Sequence, residues 1–285
     1  MSSDLDLNDV VASFAANIVE RGLYAARESI TNYISKHKIP IREGLQNYAR
    51  DLAEKISFVR TILSENPAYI RDIYVPVRIK KTRGTFGPKR YSANEFVEAT
   101  LRGERISSST LVVGTAGSGK SIYIKSLCLD RIYEGRVIPI LIELRELRHI
   151  SDDIISIIMN RLKAYIPYLN DDLFSDIARM GKFEILLDGL DELERSRRST
   201  IVNDVYKFVT KYKKVNLIIT TRPDDREEWW PYFDIGYVDP MTLNDVVLLI
   251  EKSPYDQELK SQFIEQLGNG LFEDRQDLLT IPLLA

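Results

Sequence analysis

The stretch from Leu111 to Ser121 constrains this chain more than any other, because an apolar run passes directly into a glycine-rich loop. The run Leu-Val-Val has the character of a buried strand, and it leads into the pattern Gly114-x-x-x-x-Gly119-Lys120-Ser121. At a strand-to-helix junction this pattern is typical of a loop that wraps a polyphosphate. A glycine-rich turn that only linked a strand to a helix would need neither the Lys-Ser pair nor the strand before it.

The residue types of this loop predict how it holds a nucleotide. Its glycines let successive backbone N–H groups point inward, and the helix that begins near Gly119 adds its positive dipole end. Lys120 would bring a mobile positive charge to the β- and γ-phosphates, and Ser121 would offer a hydroxyl to Mg²⁺. No guanine-recognition motif of the GTPase kind is present, which favours ATP and ADP. The predicted nucleotide-binding residues of this stretch are Gly114, Thr115, Ala116, Gly117, Ser118, Gly119, Lys120, Ser121 and Ile122.

Composition narrows the class of protein. A chain of 285 residues suits two or more domains, and a net charge of −3 argues against a protein that coats nucleic acid. Two histidines and one cysteine, Cys128, cannot make a zinc set or an internal disulfide. Because the sequence has neither a long apolar run nor a signal peptide, we expect a cytoplasmic protein without a membrane span.

The first part of the chain is predicted to be helical and is assigned to residues 1–68. Apolar residues recur at helical spacing until Pro40, which is expected to break the pattern, and they resume from Leu45 to Ile62. Two interpretations stay open for this region. We favour a helical hairpin that packs against its neighbour over a coil that is available to a partner.

Two further regions follow, an ATPase core at 69–239 and a helical lid at 240–285. Residues 72–80 alternate in polarity and predict a half-buried strand, which Pro76 places at a sheet edge. From residue 110 strands and helices alternate, and the near-continuous apolar strands are typical of a mostly parallel α/β sheet. The strands are predicted at 110–114, 136–144, 183–188, 215–221 and 235–238, and the helices at 119–133, 151–166, 171–181 and 198–213. After Pro240 only helices are predicted, the first of them capped by Thr242.

Two more motifs stand at strand ends, where the carboxyl edge of a parallel sheet forms a binding rim. Asp188 ends an apolar run and could hold Mg²⁺, and Asp191 or Glu192 could orient or deprotonate a water. Arg222 ends the strand Leu-Ile-Ile-Thr-Thr and could reach a γ-phosphate. An acidic turn and a surface salt bridge are the non-functional alternatives. The predicted catalytic residues are Lys120, Asp188, Asp191, Glu192 and Arg222, and the predicted metal ligands are Ser121 and Asp188.

Taken together, these motifs resemble the NACHT branch of the STAND P-loop ATPases, with Asp-Gly-Leu-Asp-Glu as the most specific part. The resemblance covers about residues 70–285. It implies a P-loop NTPase fold with a five-stranded sheet in the order 5-1-4-3-2, followed by a small helical lid. It also implies that Tyr74, Val75, Pro76 and Pro282 lie near the adenine. A winged-helix subdomain and sensor repeats would lie beyond Ala285, so we expect the sequence to be truncated at its C-terminus.

The resemblance implies a nucleotide-operated switch with slow hydrolysis, of the type found in prokaryotic antiphage proteins related to NOD-like receptors. In such a switch ADP holds a closed monomer, and ATP opens it so that it oligomerises. The trigger and the effector are not identified by the sequence. Two alternatives remain, an AAA-like ATPase that remodels protein or nucleic acid, and a helical adaptor in which residues 1–66 dock an effector.

Overall fold

The computed structural model describes residues 6–22, 28–59, 67–81, 90–92, 109–148, 150, 152–166, 168–223 and 233–282. The end of the second predicted helix, near Ile62, falls outside these ranges. The strands are β1 Phe58–Val59, β2 Ala68–Tyr69, β3 Arg78–Lys81, β4 Arg90–Ser92, β5 Ser109–Val113, β6 Ile138–Glu143, β7 Phe183–Asp188, β8 Asn216–Thr221 and β9 Asp234–Val238.

The helices are α1 Leu7–Asn17, α2 Glu28–Ser57, α3 Ile70–Ile73, α4 Lys120–Glu134, α5 Ile154–Lys163, α6 Asp171–Arg179, α7 Arg195–Lys211, α8 Leu243–Lys252, α9 Gln257–Gln266, α10 Phe272–Asp274 and α11 Gln276–Leu279. Two 3₁₀ turns, Leu144–Leu147 and Leu190–Glu192, follow β6 and β7. None of the described helices offers the length of apolar surface that crossing a bilayer requires.

Seven strands form one sheet in the order β4-β3-β9-β5-β8-β7-β6. The five strands from β9 to β6 are parallel, whereas β3 and β4 extend the sheet beside β9 in antiparallel fashion. The predicted α/β class with a mostly parallel sheet is confirmed. The predicted count of five strands is wrong for the whole sheet, because β3 and β4 lengthen it on one side. The five parallel strands alone, β9-β5-β8-β7-β6, lie in the predicted order 5-1-4-3-2.

Residues 72–80 do not form the single edge strand that their alternation predicts. The chain makes the short helix α3 and then runs extended from Tyr74 to Val77 before β3 begins. β3 lies between β4 and β9, so it is not at the edge of the sheet. Pro76 cannot donate to a strand ladder, and it stands before the strand instead of at a sheet edge. The extended segment therefore lies outside the sheet and contributes to the site described below.

Pro40 does not end a helix as predicted. It lies inside α2, which runs for 30 residues. The backbone leaves helical values at His37, where φ is −114° and ψ is 17°. Because a proline ring crowds the preceding turn and its nitrogen cannot donate, the helix kinks just before Pro40 and then continues.

The helices α1 and α2 share one hydrophobic core with the sheet. Their buried residues include Val11, Phe14, Ile41, Leu45, Tyr48, Ala49 and Ile56. Gly44 passes so close to the chain just after α5 that an added Cβ would lie 2.3 Å from the carbonyl oxygen of Tyr165. This packing supports the hairpin interpretation for the described part of the N-terminal region.

Side chains from two helices contact the backbone of β6, the last strand of the sheet. The Tyr48 hydroxyl of α2 donates to the carbonyl of Pro139 at 2.7 Å. The Arg161 guanidinium of α5 donates to the carbonyl of Leu141 at 2.8 Å. These contacts fix both helices to the sheet at the level of its backbone.

The residues after Pro240 form a smaller helical unit with its own core. Thr242 caps α8 as predicted, in a reciprocal capping box with Asp245. The buried residues of this core are Val246, Ile250, Leu267, Phe272 and Leu279. This unit, residues 240–282, is called the lid below.

A buried ion pair joins α4 to β7, and it yields a prediction on stability. Arg131 Nε lies 2.5 Å from Glu184 Oε2, and Glu184 is fully buried. We expect Arg131→Met to lower the free energy of unfolding by about 3–5 kcal/mol, because it leaves an uncompensated buried charge. Urea denaturation measures this. The double variant Arg131→Met/Glu184→Gln should lose less free energy of unfolding than the single variant. An unchanged free energy of unfolding in Arg131→Met would contradict the prediction.

Candidate functional site

The glycine-rich loop begins where β5 ends and is tied to the neighbouring strand β8. The Gly114 N–H donates to the carbonyl of Thr221 at 3.1 Å. An added Cβ at Gly114 would lie 2.5 Å from Ser118 Oγ and 3.1 Å from Val238 Cβ. The loop is thus folded tightly on itself between two strand ends, and only a residue without a side chain fits at its start.

The loop ends at the first residue of α4. Gly119 caps this helix with φ at +87°, a left-handed value that favours glycine. An added Cβ here would lie 3.1 Å from Val77 Cγ1, because the extended segment crosses directly beside the loop. The N-terminal amides of α4, which carry the positive dipole end of the helix, therefore face the site.

Lys120 folds back into the concave side of the loop. Its Nζ donates to the carbonyls of Gly114 at 2.6 Å and Thr115 at 2.8 Å. Burial lowers the pKa of Lys120, and nearby Asp191 opposes this effect whereas Arg222 adds to it. The ammonium group thus lies where the loop curls around a ligand, within electrostatic reach of the acidic residues and the arginine at the strand ends.

Asp188 ends β7 and is held by the neighbouring strand. The Thr220 hydroxyl donates to Asp188 Oδ1 at 2.5 Å, and the Gly189 N–H donates to the same hydroxyl at 2.9 Å. Thr220 is fully buried, so it fixes the orientation of this carboxylate. Gly189 turns the chain sharply with φ at +80°, and an added Cβ would lie 3.0 Å from Glu192 Oε1. The Glu192 side chain therefore lies against the turn that follows Asp188.

The two acids of the 3₁₀ turn have different arginine partners. Asp191 pairs with Arg222, with Nε 2.9 Å from Oδ2. Glu192 pairs with Arg148, which follows the turn after β6, at 3.4 Å between Nη2 and Oε2. Arg148 Nε also donates to the backbone carbonyl of Glu192 at 3.2 Å. Arg148 therefore holds both the backbone and the side chain of Glu192.

A cavity of about 690 Å³ lies between the glycine-rich loop, the extended segment and the lid. Its volume falls in the range of small-molecule and cofactor pockets, and its walls are mostly apolar. The walls are formed by Val59, Ile73, Tyr74, Val75, Pro76, Val77, Arg78, residues 117–122, Asp239, Pro240, Met241, Asp245, Leu249, Ile250, Ser253, Pro254, Tyr255, Leu259, Lys260, Phe263 and Pro282. A planar base could be buried here next to the phosphate-binding loop.

Polar contacts join the lid to the extended segment and to β3. Lys252 Nζ of α8 donates to the carbonyl of Tyr74 at 2.9 Å. The Arg78 guanidinium donates to the carbonyl of Pro240 at 2.8 Å and to the Thr242 hydroxyl at 3.2 Å, and it also pairs with Asp245. A ligand in the cavity would therefore touch two units that already contact each other.

The structure brings most of the predicted site residues together. Gly117, Ser118, Gly119, Lys120, Ser121 and Ile122 line the cavity with Tyr74, Val75, Pro76 and Pro282. Gly114, Thr115 and Ala116 lie outside its walls, at the start of the loop. Asp188, Asp191, Glu192 and Arg222 lie at or just after the ends of β7 and β8. Their roles in binding and catalysis stay predictions.

Sequence reasoning missed three contributors to the site. The strand pattern predicts that Thr220 lies near a strand end, but it does not predict the contact of Thr220 with Asp188. Arg148 carries no sequence signal, because it is one of several charged residues in a polar turn. The walls that α8 and α9 contribute depend on how the lid packs, which apolar periodicity does not specify.

The predicted Mg²⁺ ligands fit that ion chemically. Ser121 offers a hydroxyl and Asp188 a carboxylate, both hard oxygen donors, and the Thr220 contact leaves Asp188 Oδ2 for another partner. Mg²⁺ in nucleotide sites is held by one or two protein oxygens together with the phosphates. The described residues contain no cluster of three or more acidic, histidine or cysteine ligands.

No protein-family model matches the chain, and no curated protein matches it. The chain is similar to C. elegans PCH-2 at 12% identity and a TM-score of 0.38, covering 61% of this chain and 45% of that one. It is similar to AMPPCP-bound DnaA from Aquifex aeolicus at 12% identity and a TM-score of 0.39, covering 65% and 64%. It is similar to a Walker-type ATPase of Pyrococcus abyssi at 16% identity and a TM-score of 0.43, covering 66% and 63%. The chain therefore spans between 45% and 64% of the length of these structures.

Proposed function

We propose that this protein binds and slowly hydrolyses ATP as a signal-transduction switch of the NACHT class, in a defence role of the antiphage type. One observation carries the nucleotide assignment. A glycine-rich loop with Lys120 inside it opens a helix beside an apolar cavity of about 690 Å³. The catalytic assignment rests on Asp188 at the end of β7 and on Glu192 in the turn that follows it.

In the proposed reaction each part of the site has a distinct task. The base occupies the cavity, the loop amides hold the phosphates, and Lys120 stabilises the charge that develops on the γ-phosphate. Mg²⁺, held by Ser121 and Asp188, would neutralise the charge on the phosphate oxygens. Glu192 orients the attacking water, and Arg222 binds the γ-phosphate.

The switch proposal rests on the contacts between the lid and the core. Lys252 joins the lid to Tyr74 at the start of the extended segment, and Arg78 joins the lid to β3 directly after that segment. The extended segment and the lid also form walls of the cavity. A ligand that contacts the two units differently as ATP and as ADP shifts the balance between their arrangements. ADP would keep the closed monomer, and ATP would favour an open form that self-assembles.

Replacing Lys120 tests the nucleotide assignment. We expect Lys120→Ala to weaken the binding of ATP about tenfold or more, because a charged contact with the β- and γ-phosphates is lost. Calorimetric titration of the wild-type and variant proteins measures this. Lys213→Ala, an exposed lysine in the turn between α7 and β8, is the matched control and should bind like the wild type. Unchanged affinity in Lys120→Ala would overturn the proposal.

Steady-state turnover separates the switch from the alternative ATPase. A switch should copurify with ADP and turn over slowly. Fast turnover that rises further when a polypeptide or a nucleic acid is added would favour an AAA-like remodelling ATPase instead.

A further inference from the structure

The pair formed by Asp191 and Arg222 uses both oxygens of the carboxylate. The backbone N–H of Arg222 donates to Asp191 Oδ1 at 3.1 Å. The side-chain Nε of the same arginine lies 2.9 Å from Oδ2. A single residue just after β8 therefore contacts both carboxylate oxygens of a residue in the turn after β7, one through its backbone and one through its side chain.

The two partners differ in how firmly they are held. The Asp191 side chain is 16% exposed, whereas the Arg222 side chain is 58% exposed. The backbone carbonyl of Asp191 also accepts a hydrogen bond from Arg198, whose Nε donates to the carbonyl of Leu193 at 2.7 Å. Asp191 is thus a fixed anchor, and the guanidinium of Arg222 has room to leave it.

The neighbouring acid has another environment. The Glu192 side chain is 36% exposed and its contact with Arg148 is longer, at 3.4 Å. Both oxygens of Asp191 accept hydrogen bonds from Arg222, so a water would have to compete with these donors for the carboxylate. Of the two acids, Asp191 is therefore less suited to activating water.

We propose that Asp191 is a positioning residue that holds Arg222 in reserve at its Nε, so that a γ-phosphate competes with the carboxylate for the guanidinium. Asp191 pairs with Nε of the guanidinium, and a phosphate that binds along this edge competes with the carboxylate for that donor. Lys120 lies within electrostatic reach of both residues, which places their exchange beside the predicted phosphates. ADP offers no γ-phosphate and leaves the pair intact. The inference rests on the proposed function and adds a device that distinguishes ATP from ADP.

The test is the ratio of two affinities, measured with AMPPCP and with ADP. Asp191→Asn keeps the side-chain shape but removes the charge that retains Arg222. We expect this variant to bind AMPPCP about fivefold more tightly, a coupling of ordinary size, and to bind ADP unchanged. Arg222→Gln should weaken AMPPCP binding only. In the double variant the Asp191→Asn change should have no further effect, because the arginine that it would release is absent.

Other results would overturn the inference. An unchanged affinity ratio in Asp191→Asn, together with lost hydrolysis, would make Asp191 the residue that orients water. Equal weakening of both nucleotides, with a lower melting temperature, would make its role structural. If the wild-type protein bound neither nucleotide, the proposed function would fail as well. If the wild-type protein bound both nucleotides but Asp191→Asn left the ratio of AMPPCP to ADP affinity unchanged, only the role proposed for Asp191 would fail.

Discussion

Glu192→Gln is expected to lower the rate of ATP hydrolysis about 100-fold or more while leaving nucleotide affinity nearly unchanged. The carboxylate follows Asp188 by four residues, lies against Gly189 and is held by Arg148 at 3.4 Å. An amide of the same shape keeps these packing contacts but cannot accept a proton from water. The measurement is phosphate release under saturating ATP, with binding of AMPPCP followed in parallel.

The control for this variant is Glu194→Gln. Glu194 is an exposed glutamate two residues further along, and its side chain makes no capping hydrogen bond to α7. The Glu194→Gln variant should hydrolyse ATP at the wild-type rate. Wild-type turnover in Glu192→Gln would remove Glu192 from the mechanism and return the water-orienting role to Asp191.

Removal of residues 1–57 is expected to prevent the remaining chain from folding. These residues contain α1 and α2, whose apolar faces are buried in the same core as the sheet. Their loss would expose much of that core to water, and the cost would exceed the stability of an ordinary domain. The readouts are the soluble yield and the circular dichroism of the truncated protein. A folded truncated protein that hydrolyses ATP would instead favour the helical-adaptor hypothesis.

Two single substitutions in α2 test the same packing without removing the helix. Ile41 is 2% exposed and Ile39 is 70% exposed, two positions apart in one helix. We expect Ile41→Ala to lower the free energy of unfolding by about 2–5 kcal/mol, because it leaves a cavity in the core. Ile39→Ala should change it by about 0.5 kcal/mol or less. Equal effects in urea denaturation would mean that α2 does not pack on the sheet.

The local parts of the fold could be predicted because their signals are local. The strand before Gly114 and the apolar run that ends at Asp188 are short and continuous, and each is followed by a glycine where the chain turns. Thr242 is followed by a capping pattern that predicts the start of its helix. By contrast, Pro40 was expected to end a helix, since the sequence does not reveal the tertiary packing that carries α2 through the kink.

Local sequence patterns do not predict which strands pair with each other or which charged residues form ion pairs. β3 pairs with β9, which lies more than 150 residues further along the chain, and no local pattern specifies that register. In the same way, Asp191 and Glu192 are adjacent in sequence, yet one faces Arg222 and the other faces Arg148. The sequence left the roles of these two acids open because their difference arises only when β6, β7 and β8 lie side by side.

The contacts on β6 also bear on how copies of this protein can associate. β6 ends the sheet, so its outward carbonyls could template a strand from another molecule. Those of Pro139 and Leu141 are instead occupied by Tyr48 and Arg161, and Pro139 has no N–H to offer. These contacts obstruct intermolecular strand pairing at β6, which is one of the two edges of the sheet. We therefore do not expect an ordered assembly of this protein to extend the sheet at β6.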